Sequence, residues 1–354
     1  MKSKIINILL LLVLTLGTFY FLLKDQELDE LLACILSADK MWLLAGLLCI
    51  IMFICFESVI IHYIINALSY SVKLIHCIKY SFIGFFVSAI TPSSTGGQPA
   101  QMYFMKKDGI SVSVSSLVMM VVTVAYKAAL LFIALIMLIV ENDFVMSHIK
   151  GIEFILVFGI AVNVVVIVFL MLIIFRQSLA KRICGKFILF LGSHKLIKRP
   201  EERLRRLLNS ISKYDRGAAF LKSHKRMFVN IFLITLVQRM MYFLVTYAVY
   251  RSFDLSGSTA GDCGPFEIIT LQLIITLAVD NLPWPGGMGV NEGIFMIFFS
   301  EIFTPAYVTA GLMLTRGFNY YFVILAGGIV TALAKLMQRK NIDADIDTNA
   351  KPLQ

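Results

Sequence analysis

Six ionisable side chains stand in stretches otherwise fit for hydrocarbon: Glu57, Lys127, Arg239, Asp280, Glu292 and Arg316. A charge at that depth is costly unless paired or hydrated, so each marks either a structural ion pair or the path of a polar ligand. Arginine offers a planar fork of donors that suits a phosphate, and lysine a point charge. Lys127, Arg239 and Arg316 together can hold one lipid phosphate, while Glu57, Asp280 and Glu292 orient those cations or meet a cationic headgroup. Acids and bases balance at three each, so purely structural pairs around a cavity are the alternative.

A second chemistry lies in "TPSSTGGQPA", residues 91–100, directly after the apolar run "YSFIGFFVSAI". Irregular backbone at membrane depth is tolerated only where protein or a wet cavity covers it. Such a break leaves helix-end N–H groups unpaired, and with the hydroxyls they form an anion-friendly pocket. Ser93, Ser94, Thr95, Gly96, Gly97, Gln98 and Pro99 are the substrate-binding candidates here. Pro285, Gly286 and Gly287, in "NLPWPGGMG", are their counterparts in a second break.

These residues need a membrane scaffold, and the composition supplies one. Of 354 residues, 59% are apolar and 15% charged, and mean hydropathy is +0.84. Runs long enough for the roughly 20 residues that cross about 30 Å fall at 5–23, 41–66, 113–140, 152–175, 227–250 and 305–334. They must be helical, since backbone groups in lipid have to satisfy one another. The run at 5–23 is too long for a signal peptide and lacks a cleavage site, so it is expected to stay as an anchor.

Charge sets the expected topology. Lys2 and Lys4 place the N-terminus in the cytoplasm, "KDQELDELLACILSADK" outside, and Lys73 and Lys79 inside. If residues 80–105 crossed the membrane, every later loop would violate this bias; as a hairpin entering and returning, they satisfy it. Residues 265–303 likewise enter from outside and return, and "KLMQRK" leaves the C-terminus inside. The expected fold is an all-α polytopic membrane protein: about six full transmembrane helices plus two re-entrant helical hairpins in an inverted repeat. Repeat one covers about 5–140 and repeat two about 152–334, in one domain, 1–335, followed by a polar cytoplasmic tail at 336–354, whose end, "NIDADIDTNAKPLQ", is expected to be disordered. Pro92 precedes Lys127 by 35 residues and Pro283 precedes Arg316 by 33, which makes the two cations equivalent. Ordinary water-exposed loops between full spans are the alternative for the Pro/Gly stretches.

The net charge of +10 is concentrated in 176–226, where 15 Lys/Arg face three acids. In a membrane chain this fits anionic inner-leaflet lipid rather than nucleic acid. Leu204, Leu207, Leu208 and Ile211 make part of it a basic amphipathic helix on the inner leaflet, with a partner's docking surface as the alternative. Six cysteines show no metal spacing and suit small apolar positions, although Cys34 and Cys263 fall on one side, where a bridge is allowed. GxxxxGK[ST], GxSxG and HExxH are absent. No catalysis, cofactor or metal is therefore expected, and transport would run downhill or on an ion gradient, with Asp280 and Glu292 as proton carriers.

Three segments, "AITPSSTGGQPAQMYFMKKDGIS", "PWPGGMGVNEG" and "LTRGFNYYFVILAGG", resemble the lysylphosphatidylglycerol synthase membrane domain, a flippase-like family, over roughly 5–335. The resemblance implies a bacterial inner-membrane protein that moves lysyl-phosphatidylglycerol or related lipids between leaflets, lowering negative surface charge against cationic antimicrobial peptides. It also implies roles for Ser94, Gly96, Gly97, Gln98, Pro99, Pro285, Gly286, Gly287, Glu292 and Arg316. Bifunctional members add a soluble domain that loads lysine from lysyl-tRNA. Only about 20 polar residues follow the last span here, so that activity is not expected of this chain. Lys127 also stands where the family pattern leads one to expect arginine. The alternatives are a phosphatidylglycerol lysyltransferase, alone or completed by a soluble aminoacyltransferase subunit, and a non-transporting membrane partner protein.

Overall fold

The computed structural model describes residues 28–176, 224–253, 263–280, 285–303 and 305–349, with Leu282 and scattered positions between 178 and 205. The span expected at 5–23, most of the basic linker with its amphipathic helix, and Cys184 lie outside the described residues.

The described elements are all helical. In chain order they are α1 (Leu28–Ser37), α2 (Lys40–Ala67), α3 (Leu74–Ala89), α4 (Gly97–Lys107), α5 (Val112–Val140), α6 (Asn142–His148), α7 (Glu153–Phe175), α8 (Lys225–Ser252), α9 (Pro265–Val279), α10 (Val290–Phe299), α11 (Pro305–Arg316) and α12 (Val323–Asn349). Five helices are long and apolar enough to cross a membrane: α2, α5, α7, α8 and the α11–α12 pair. Their outward faces carry bare apolar side chains, such as Phe154 at 83% exposed, as expected where lipid replaces water. The C-terminal stretch expected to be unstructured is helical to Asn349, where α12 continues past its apolar part.

Side-chain contacts fix how the halves relate. Gly46 lies against Ala248, Phe53 against Tyr242, Glu57 against Gln238 and Tyr63 against Asn230. Numbers rise along α2 as they fall along α8, so these helices pack antiparallel. Each directly precedes a broken pair, α3–α4 or α9–α10, and their opposed directions make the two halves inverted copies.

The broken pairs are too short to span. At about 1.5 Å per residue, the 16 residues of α3 and 11 of α4 fall short of a bilayer. Asp108, just after α4, bonds His76, Lys79 and Tyr80 near the start of α3. The chain therefore leaves at the level where it entered, as a hairpin must. Inside this hairpin Gly97 sits against Ser88 and the carbonyl of Gly84, an approach with no room for a Cβ. In the second, Gly287 packs against Val279.

A six-residue π segment, Gly317–Phe322, separates α11 from α12. The expected span 305–334 is thus interrupted where its sequence reads "GFNYYF". Such wide turns are rare and often accompany functional sites. Cys34 and Cys263 are not joined by a disulfide, so the bridge is not formed.

Candidate functional site

Each hairpin turns through a 3-10 tripeptide, Pro92–Ser94 or Pro285–Gly287. The two residues after each proline are left-handed: Ser93 at φ 50° and Ser94 at 54°, Gly286 at 58° and Gly287 at 66°. Glycine adopts this region freely, whereas an L-residue is strained by roughly 1–2 kcal/mol. The serines hold it because Ser88 Oγ bonds Ser94 O at 3.3 Å and Thr95 Oγ1 bonds Pro92 O at 2.9 Å. The structural match to Pro92 is therefore Pro285, not Pro283.

The two tips touch each other. Tyr320, in the π segment, donates to Ala89 O at 3.2 Å, and its ring closes over Gly286, where a Cβ would collide. Within the first tip, several groups expected to face a ligand are already engaged. Thr91 Oγ1 accepts the N–H of Gly96 at 3.0 Å, and Gln98 donates to Thr123 at 2.6 Å. Among the described residues, the hydroxyls of Ser93 and Ser94 make no hydrogen bond.

Glu292 serves two purposes at the second hairpin. One oxygen accepts the Gly289 N–H at 2.7 Å, capping α10, and the other lies 2.7 Å from Arg316 Nε. Arg316 also donates to Gly286 O at 3.1 Å and lies over the Tyr320 ring. Among the described residues Nε itself has no hydrogen bond, so its N–H points past the carboxylate. Thr315 Oγ1 and Asn319 Oδ1 nearby are likewise buried without a partner. Arg316 braces the tip, the α10 cap and the π segment at once.

Lys127 is placed differently from Arg316. It donates to Asn163 on α7 at 2.6 Å and to Asp280, just past α9, at 3.1 Å. The counterpart of Arg316–Glu292 in the first repeat is Thr123–Gln98, separated by nearly the same interval along the chain. The expected equivalence of Lys127 and Arg316 does not hold: Lys127 stands one turn beyond Thr123 and reaches into the other repeat.

Arg239 is the least engaged cation. It is 7% exposed, with its guanidinium 4.3 Å from the Tyr126 ring centre and 4.6 Å from that of Phe53. It forms no hydrogen bond or ion pair among the described residues, and its Nε is buried without a partner. Its neighbour Gln238 donates to Phe53 O at 3.2 Å and to Glu57 at 3.4 Å. Glu57, 9% exposed, accepts a second bond from Gln101 on α4 at 3.1 Å.

The six intramembrane charges and both breaks thus sit on elements that pack together. Sequence reasoning did not find Asn163, Tyr126, Phe53, Gln101, Thr123 or Tyr320. Asn163 had a signal, as the lone amide in the apolar run "FGIAVNVVVIVF". The others had none, since their roles depend on neighbours far along the chain.

Antiparallel halves, each with a broken hairpin whose tip meets the other beside buried charges, define a multi-pass membrane protein of the broken-helix class. The chain belongs to the lysylphosphatidylglycerol synthase TM region family, matched over residues 7–327. It is also similar to UPF0104 membrane protein MJ1595 of Methanocaldococcus jannaschii, 21% identical over 341 residues covering 95% of this chain and 97% of that protein. Membership of a family named for a lipid synthase's membrane region associates the chain with membrane lipid.

Proposed function

We propose that this protein carries an anionic or aminoacylated phospholipid, such as lysyl-phosphatidylglycerol, between leaflets, with the headgroup passing between the two hairpin tips. The observation that carries this reading is Arg239: a buried guanidinium between two aromatic rings without a hydrogen-bond acceptor. Buried charged donors are normally satisfied, and an unsatisfied one calls for an anion. A lipid phosphate has the charge and the acceptor geometry to fill that need. Ser93 and Ser94 would supply further donors, while Arg316 and Lys127, each paired with an acid, would hold the surrounding elements in place.

The topology that goes with this reading keeps both termini in the cytoplasm of a bacterial inner membrane, with the basic stretch 176–226 against anionic inner-leaflet lipid. Moving a lysylated lipid outward would lower the negative surface charge that attracts cationic peptides. The family name also supports a second reading, a membrane subunit that receives lipid from a separate soluble aminoacyltransferase.

The test is transbilayer exchange in reconstituted vesicles carrying labelled phosphatidylglycerol, its lysyl form or a neutral-headgroup control. Arg239→Gln should slow exchange by about ten- to a hundredfold, the loss of a charge-assisted bond. Headgroup-independent exchange, or none above protein-free vesicles, would reject the translocator reading.

A further inference from the structure

The three intramembrane acids are not held alike. Glu292 lies 2.7 Å from Arg316, and Asp280 lies 3.1 Å from Lys127. Glu57 has only amides: Gln101 from the first hairpin on one oxygen and Gln238 from α8 on the other. No cation stands within ion-pair distance of it among the described residues. Arg239 is close enough for the two charges to interact without touching.

This arrangement suits a group that changes charge. An ion-paired carboxylate is locked to its partner, so Asp280 and Glu292 are poor proton carriers despite their sequence positions. Glutamine is different, because rotating its amide exchanges a donor for an acceptor. Ionised, Glu57 takes an N–H from each amide; protonated, it donates its O–H to an amide oxygen turned toward it. Both states are satisfied without moving a helix. Of the charged groups that act on Glu57, Arg239 from α8 stays cationic and does not compete for the proton. Tyr126 from α5 stacks on that guanidinium, and Ser58, next to Glu57 in the chain, bonds Ser81 of α3 at 2.9 Å.

The charge count then links two sites. With Glu57 ionised, its field balances Arg239, and adding an anion would leave excess negative charge in a buried place. With Glu57 neutral, the charge of Arg239 is free for the anion. We propose that Glu57 is a proton-binding site and that a proton enters it from solvent together with each anionic headgroup taken by Arg239. This rests on the lipid-binding reading above and supplies its ion coupling. Gln101 ties Glu57 to the first hairpin, where its amide lies against Gly84.

The test is calorimetric titration of detergent-solubilised full-length protein with short-chain phosphatidylglycerol, against phosphatidylcholine, in two buffers of different ionisation enthalpy. Binding should take up about one proton, and affinity should fall about tenfold per pH unit above the Glu57 midpoint. Glu57→Gln, which is isosteric and keeps both amide contacts, should bind tightly at every pH with no proton uptake. Below the Glu57 midpoint the wild type should show a protonated-carboxyl infrared band without lipid, and Glu57→Gln should lack it. Binding that depends on Arg239 but takes up no proton would overturn the proton proposal and leave the lipid reading standing. Failure of phosphatidylglycerol to bind would sink the lipid reading and the coupling with it. Persistence of the infrared band in Glu57→Gln would overturn Glu57 as the proton site.

Discussion

Lys127 and Asp280 meet at 3.1 Å across 153 residues of chain, joining the long helix after the first hairpin to the first arm of the second. Asn163 holds the same ammonium from a third helix. Arg316 pairs within its own repeat instead, so the inverted halves share a backbone plan and differ in how their charges are tied.

Removing one partner of that bridge should cost more than removing both. Lys127→Met strands Asp280, and loss of one partner from a buried pair typically costs about 3–5 kcal/mol. The double variant Lys127→Met/Asp280→Leu should recover much of this. Thermal unfolding in detergent checks it; equal destabilisation of single and double variants would deny the pair a structural role.

The hairpin geometry makes a topological prediction. A cysteine at Lys73 and one at Lys107 should be labelled by an impermeant reagent from the same side of the membrane. One at Glu267 or Glu301 should be labelled from the other. Opposite accessibility of positions 73 and 107 would mean that α3 and α4 cross rather than return.

The two tips should respond oppositely to small changes. Ser93→Gly or Ser94→Gly relieves a left-handed L-residue and should raise thermal stability, by up to roughly 1 kcal/mol each. Gly286→Ala both adopts a strained φ and drives a Cβ into the Tyr320 ring, so it should destabilise by about 1–3 kcal/mol. Paired melting curves of the variants give the comparison.

Asp108 should show up in the acid limb of the stability profile. Partial burial alone would raise its carboxyl, but hydrogen bonds from Lys79, Tyr80 and His76 outweigh that and hold it below the ordinary value. A depressed folded-state pKa contributes stability that is present above the unfolded value near 3.9 and lost as pH falls through the folded one. Melting temperature should therefore drop at the acid end below about pH 4. Asp108→Asn should flatten that drop while lowering stability at neutral pH.

The two breaks, the long helices and the six intramembrane charges were legible in the sequence because each violates or obeys a local rule. A cluster of proline, glycine and hydroxyl residues interrupts an apolar helix wherever it falls, and a charge in a 20-residue apolar run has no local partner. Even the inversion was readable, since lysines and acids mark the ends of spans by the sides they prefer. Pairing was decided elsewhere. Arg316 finds Glu292, Lys127 finds Asp280, and Arg239 finds only rings, although all three share a type of charge and setting. These outcomes depend on which helix faces lie together after α2 and α8 pack antiparallel and the hairpin tips meet. Charge interactions fall steeply with distance and with the dielectric around them, so a shift of one helical turn, such as separates Lys127 from Thr123, selects a different partner.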